Sequence, residues 1–200
     1  MADDALATYR ARRDTAASGE PAGNGDAGGG RPGTGARFVV QRHEASSLHY
    51  DFRLEVDGVL RSWAVPKGPS LNPQDKRLAT QTEDHPLDYA DFEGEIPEGY
   101  GAGTVVVWDS GTYRNLTEHR GREIPADDAL DRGHIKVELA GNKLHGAFAL
   151  TRTRTGGRTQ WLLVKVDDAE ADRRHDPVRD DPESVLSGRT NAELRTGGGR

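Results

Sequence analysis

The chain has 200 residues, 34% of them hydrophobic, a mean hydropathy of -0.79 and a formal net charge of -6. With no cysteine, disulfides, thiolate nucleophiles and cysteine-rich zinc sites are excluded, and any metal must be held by nitrogen and oxygen. The longest wholly apolar runs are four residues, as at Val105 to Trp108, so neither a membrane span nor a signal peptide is expected and the default compartment is the cytoplasm.

In chain order, Asp3 to Asp14 is expected as a short helix, with Asp3 or Asp4 as cap and Leu6 and Tyr9 on one side, too short to persist undocked. Gly19 to Gly35 holds eight of the 25 glycines and reads as a flexible linker. Phe38 to Gln41 predicts a first strand. Residues 48–56 and 59–65 predict a hairpin, because Asp57-Gly58 suits a type I′ turn. That turn pairs Val56 with Val59, Phe52 with Trp63 and Tyr50 with Val65, and sets Asp51 opposite Ala64 and Arg53 opposite Ser62. Residues two apart in a strand share a face, so His49, Asp51 and Arg53 point one way and Tyr50, Phe52 and Leu54 the other.

Pro66 to Pro73 marks an irregular loop near Lys67, Lys76 and Arg77. Asp84 is placed to cap a helical turn beginning at His85-Pro86, which makes His85 and Tyr89 i,i+4 neighbours. Glu93 to Gly103 reads as a loop, Thr104 to Trp108 as a buried strand, and Asp109 to Gly111 as a turn. A short helix is expected over Pro125 to Arg132. A meander follows over 134–140, 143–153 and 160–166, with turns at Gly141-Asn142 and Gly156-Gly157. Strands separated by glycine turns predict a mainly all-β fold, a single small barrel with a few short flanking helices. The expected organisation is an N-terminal helix and Gly-rich segment over 1–36, the barrel domain over 37–167, and a polar, weakly ordered tail over 168–200.

Charge is unevenly placed. Residues 37–77 carry seven basic and five acidic side chains, whereas residues 167–183 carry eight acidic and three basic. This suits a small electropositive site for a strand end better than a long duplex track.

His43, His49 and Asp51 form a two-histidine, one-carboxylate set compatible with Mn²⁺, Fe²⁺ or Zn²⁺, with positions left open for water or substrate. The bland reading is ordinary surface residues; their clustering with Arg53 beside an apolar alternate face favours chemistry. Arg53 is either a surface charge or, if buried next to a metal, a bidentate phosphate ligand. His119, His134 and His145 read as solvated or locally bonded imidazoles. Gly99 to Gly103 lacks the strand-loop-helix context of a phosphate cradle and reads as a turn.

The run FVVQRHEASSLHYDFRLEVDGVLRSWAVPKGPSLNP, with EDHPLDYADFEGEIPEG, GTVVVWDSGTY and WLLVK, resembles the 3′-phosphoesterase that occurs as a module of bacterial DNA ligase D and as stand-alone proteins. YRARRD and GEP near the start, and SVLSGRT near the end, extend the likeness over nearly the whole chain. The resemblance implies a Mn²⁺-dependent enzyme that removes a 3′-terminal ribonucleoside from a primer strand, then hydrolyses the resulting 3′-phosphate to a 3′-hydroxyl. It implies His43, His49 and Asp51 as metal ligands, Arg53, His85 and Tyr89 around the scissile phosphate, and Lys67 and Arg77 as assisting groups. Arg13, Asp14 and Glu20 match residues of the ribonucleoside-removing step, which brings the N-terminal segment over the site. The implied partners are a primer-template 3′ end, a separate ligase or polymerase, and the end-binding protein Ku; a monomer is expected. In this scheme His85, titrating near neutrality, donates a hydrogen bond or a proton. Two other readings of the same residues are a non-haem Fe²⁺ oxygenase and a non-catalytic barrel that binds DNA ends.

Overall fold

The computed structural model describes residues 4–23, 35–97, 99–154 and 157–197. Its strands are β1 (Ala36–Glu44), β2 (Leu48–Val56), β3 (Val59–Val65), β4 (Arg77–Gln81), β5 (Gly94–Ile96), β6 (Gly103–Asn115), β7 (Glu118–His119), β8 (Arg122–Glu123), β9 (His134–Ala140), β10 (His145–Arg154) and β11 (Gln160–Lys165). The helices are α1 (Ala7–Arg12), α2 (Thr15–Ser18), α3 (Ala126–Asp131), α4 (Pro177–Asp180) and α5 (Asn191–Gly197), with a 3₁₀ turn at Leu87–Asp91. Strand neighbours follow the order β1-β2-β3-β4-β11-β10-β9-β6, and β6 pairs back onto β1. Antiparallel pairing therefore closes an eight-stranded barrel, with β5 added to the start of β6. No helix among the described residues is long and apolar enough to cross a membrane.

A barrel of this strand number is just wide enough for side chains to fill. Phe38, Phe52, Trp63, Trp108, Phe148 and Trp161 do so, all buried. Asp57 and Gly58 both take positive φ, +50° and +78°, as the type I′ turn requires. The hairpin register is the expected one at every pair from Tyr50–Val65 to Val56–Val59. Alternation then sends Tyr50, Phe52 and Leu54 into the barrel and leaves His49, Asp51 and Arg53 on its outer wall.

Four expectations change. First, β1 runs on to Glu44, because pairing with β2 on one edge and β6 on the other outweighs the weak strand preference of Arg42-His43-Glu44. Second, β6 passes straight through Asp109 to Gly111. Trp108 bulges at the Val40–Gln41 step and shifts the phase of alternation, so Asp109 lies opposite Val40. The buried Asp109 carboxylate accepts N–H bonds from Asn142, Lys143 and Leu144 at 2.8, 3.1 and 2.9 Å, holding the β9–β10 turn. Gly111 is required there because a β-carbon would collide with the Ala140 carbonyl oxygen.

Third, the chain after Val166 is fastened to the barrel. The Asp181 carbonyl accepts from Trp108 Nε1 at 2.7 Å, and Val185 N donates to Val107 O at 2.9 Å. Fully buried Asn191 donates to the carbonyls of Arg42 and Thr104 at 3.1 and 2.7 Å. Its polar composition misleads because hydrogen bonds, more than apolar area, secure this segment. Fourth, the N-terminal helix is only six residues, with Leu6 at its N-cap. It is docked through Tyr9, buried on the outer wall with Val39, Leu60, Tyr89 and Val107. Residues 24–34 of the expected linker and Gly156 of the expected turn lie outside the described residues.

Candidate active site

His43 and His49 are direct cross-strand partners on β1 and β2, and Asp51 follows His49 by one strand period. Register alone therefore builds the triangle; His43 arrives on the lengthened β1. One ligand atom from each of the three lies within 4.8 Å of the others. Nε2 of His43 contacts the Gly101 carbonyl at 2.7 Å, and Nδ1 of His49 contacts the Ser47 carbonyl at 3.2 Å. A carbonyl only accepts, so both of those nitrogens carry the proton. The lone pairs of His43 Nδ1 and His49 Nε2 are left facing Asp51 Oδ2, each at 3.6 Å. Two imidazole lone pairs aimed at a carboxylate repel one another unless a cation lies between them, so the donor set fits a divalent ion. Without one, Asp51 favours a proton on His49, whose pKa is raised even though burial opposes it.

Burial would raise the pKa of Asp51, but Arg53 and the two imidazoles hold it well below the ordinary carboxylate range. Arg53 is 3% exposed. Its Nη2 lies 3.4 Å from Asp51 Oδ2, its Nε donates to Gln41 Oε1 at 2.8 Å, and its Nη1 donates to Ser62 Oγ at 2.8 Å. The expected cross-strand partner of Arg53 thus anchors the guanidinium. The surface-charge reading is excluded.

Asp84 caps no helix; its carboxylate faces Arg61 at 3.5 Å. His85 instead bridges to Leu60 of β3 through two main-chain hydrogen bonds, 2.8 and 3.0 Å, and the 3₁₀ turn starts after Pro86. The His85 and Tyr89 rings still meet edge to face, centroids 4.8 Å apart. His85 Nδ1 lies 2.9 Å from the Glu83 carbonyl and 3.0 Å from Arg53 Nη1, and its Nε2 lies 3.2 Å from Arg13 Nη2. With Nδ1–H donating to the carbonyl, Nε2 accepts from Arg13 and Arg53 Nη1 directs its hydrogen bond to Ser62 instead. Burial, then the charges of Arg53 and Arg13, push the His85 pKa well down. The imidazole is neutral in the free protein, which corrects the expectation of a group titrating near neutrality.

The N-terminal segment does fold over the site. Arg13 donates from Nε to Glu20 Oε1 at 3.0 Å and from Nη1 to Glu83 Oε1 at 2.6 Å, and Tyr89 OH donates to Glu20 Oε1 at 2.9 Å. Burial raises the Tyr89 pKa far above its usual value, so the phenol keeps its proton. Arg13 and Arg53 are thus surrounded by three buried carboxylates, Glu20, Asp51 and Glu83, with half-exposed Arg12 reaching Glu83 at the rim.

Asp14 is exposed and caps α2, accepting from Ala17 N at 3.2 Å, and it lines one cleft with Arg13 and Glu20. Other expected residues are not brought together with these. Lys67 is exposed. Arg77 shares the alternation of inward-facing Ala79 and pairs with Asp75 at 3.1 Å, whereas the site face of β4 is the one carrying Thr80, opposite Ala64. His119, His134 and His145 are exposed and apart from the site. Sequence reading placed Ser62 opposite Arg53 without giving it a role, and missed Gln41, Glu83 and the Gly101 carbonyl. Gln41 and Ser62 carried a signal, because each faces a predicted site residue in the ladder; the other two depend on how loops close.

A closed barrel with a nitrogen–oxygen trio that could hold a metal ion, beside a buried, tethered guanidinium, sets out the groups that an anion bound next to a metal would need. The model of the DNA ligase D 3′-phosphoesterase domain matches residues 41–152, and the chain belongs to that family. It is 51% identical over 190 residues to the multifunctional non-homologous end joining protein LigD of Pseudomonas aeruginosa, covering 92% of this chain and 21% of that protein. It is 47% identical over 166 residues to the multifunctional non-homologous end joining DNA repair protein LigD of Mycobacterium tuberculosis, covering 82% and 20%. The LigD protein of Mycolicibacterium smegmatis is 42% identical over 174 residues, covering 86% and 22%. The chain thus spans about a fifth of the length of these relatives.

Proposed function

We propose that this chain heals DNA 3′ ends by metal-dependent phosphoester hydrolysis. It first releases a 3′-terminal ribonucleoside, leaving a 3′-phosphate, and then hydrolyses that phosphate to a 3′-hydroxyl, with Mn²⁺ as the preferred ion. The observation that carries this is the convergence of His43, His49 and Asp51 beside Arg53, in a chain of the phosphoesterase family. That membership favours hydrolysis over the iron-oxygenase reading. A divalent ion held by the trio supplies Lewis acidity toward a phosphoryl oxygen and lowers the pKa of bound water.

The protein's own groups divide the remaining tasks. Arg53, immobilised by Gln41 and Ser62, offers its guanidinium to the phosphoryl oxygens as their charge grows. A phosphate lying against Arg53 and Arg13 offsets the positive fields that add to burial in depressing the His85 pKa. That offset moves His85 toward the protonated form, from which it hands a proton to the departing oxygen. Tyr89 turns its hydroxyl from Glu20 to the phosphate and orients it. Arg13, Asp14 and Glu20 serve the nucleoside-removing step, and Lys67 and Arg77 are assisting groups. The proposed partners are a primer-template end, a ligase or polymerase and Ku, and the proposed state is a cytoplasmic monomer.

The test is a Mn²⁺ titration on a primer-template ending in one ribonucleotide, with product ends separated. A 3′-phosphate appearing before a 3′-hydroxyl, both abolished by chelation, is the expected result. Full activity in excess chelator, or tight end binding with no turnover in any divalent metal, refutes the reading.

A further inference from the structure

We propose that Tyr100, together with Arg12, forms a stacking platform for the base of the terminal nucleoside; this rests on the phosphoesterase reading above. Tyr100 lies on the β5–β6 loop and is 51% exposed, so the fold gains little from its ring. Its hydroxyl accepts from Arg12 Nη1 at 3.3 Å, and the guanidinium carbons of Arg12 and Arg13 lie 5.2 and 5.3 Å from the ring centroid. Aromatic rings and guanidinium planes are what bases stack on, with little regard to base identity.

The platform borders a cleft of about 430 Å³, within the size range of small-molecule sites, whose lining includes Arg12, Arg13, Ser18, Glu20 and Pro97. Two of those residues connect it to the phosphate-binding groups: Arg13 reaches His85 Nε2, and Glu20 accepts from Tyr89 OH. In this proposal a nucleoside whose 5′ oxygen is bonded to a phosphate at Arg53 and His85 extends its base past Arg13 and Glu20 into the cleft. The loop is also fixed relative to the metal trio, because the neighbouring Gly101 carbonyl holds His43. Gly99 and Gly101 take positive φ, +93° and +86°, which sets the backbone on either side of the ring.

The test compares wild type with Tyr100→Ala and Tyr100→Phe on three primers, ending in a ribonucleoside, in a ribose lacking its base, and in a 3′-phosphate. Tyr100→Ala should lower kcat/KM on the ribonucleoside primer by about 5- to 150-fold, mostly through KM. It should act like wild type on the baseless and 3′-phosphate primers, and Tyr100→Phe should recover the ribonucleoside rate. Equal losses on all three primers would mean that the tyrosine acts through the loop and His43, and no loss on any would mean that no base rests on it; either overturns the proposal. Wild-type protein inactive on every primer would instead sink the phosphoesterase reading itself.

Discussion

Replacing Gln41 with leucine isolates the contribution of Arg53's tether. The Gln41 side chain is fully buried, accepts from Arg53 Nε at 2.8 Å, and donates to the carbonyls of Tyr89 and Phe92 at 2.9 and 3.0 Å. Leucine is close in volume, so the cavity term is small, but one guanidinium N–H and the Phe92 carbonyl lose their partner, while the Tyr89 carbonyl keeps the Phe92 N–H at 3.1 Å. At about 1–3 kcal/mol for each buried orphan the loss is about 2–6 kcal/mol. For a chain of this size that lowers Tm by about 4–24 °C. A guanidinium freed at Nε and displaced by roughly 1 Å costs about 100-fold in rate. Calorimetric melts and steady-state hydrolysis of a 3′-phosphate primer measure the two effects. The Mn²⁺-induced rise in Tm should persist, because the side-chain hydrogen bonds of Gln41 go to Arg53, Tyr89 and Phe92 and to none of the trio. A Gln41→Leu protein that melts and turns over like wild type would refute the claim that this amide holds the arginine.

Asp51→Ala and His49→Ala should each abolish both hydrolytic steps. Each should also remove the Mn²⁺-dependent rise in Tm that binding to the folded state produces; a retained rise would place the ion elsewhere. Asp109→Ala leaves three main-chain N–H groups of the β9–β10 turn unpaired and should cost about 3–5 kcal/mol in denaturant unfolding without changing KM. In the metal-free protein, the depressed pKa of His85 sets a pH dependence of known sign. Its neutral form is retained on folding, so its contribution is complete above the unfolded value of about 6.5 and is lost as pH falls toward the lower folded pKa. The slope is at most about 1.4 kcal/mol per pH unit. His85→Gln should flatten that acid limb in urea titrations, and an unchanged limb would show that His85 is not buried as a neutral group.

How far the chain could be read depended on whether a feature is local. The hairpin was legible to the residue, because a two-residue Asp-Gly turn fixes register and register fixes faces. Once β1 is seen to continue, the same alternation puts His43 opposite His49. The continuation itself was hidden, since Arg-His-Glu has little strand preference and becomes a strand only by pairing on both edges. The β6 bulge was hidden likewise: Asp109-Gly111 has turn composition, and only the neighbouring Val40–Gln41 step and the approach of Ala140 explain it. The acidic chain end looked unattached because its anchors, such as Asn191 on Arg42 and Thr104, are hydrogen bonds between distant positions.

What the residue order determined by itself is the outward row of His49, Asp51 and Arg53 and the inward row of aromatics, since strand periodicity needs no distant partner. What only tertiary structure decided is the state of those groups. Barrel closure and the docked N-terminal segment bury Arg53 and keep His85 neutral between two guanidiniums, and the Gly101 and Ser47 carbonyls leave the two imidazole lone pairs facing one carboxylate oxygen. Burial and electrostatic fields are sums over residues far apart in sequence, and no local pattern encodes them.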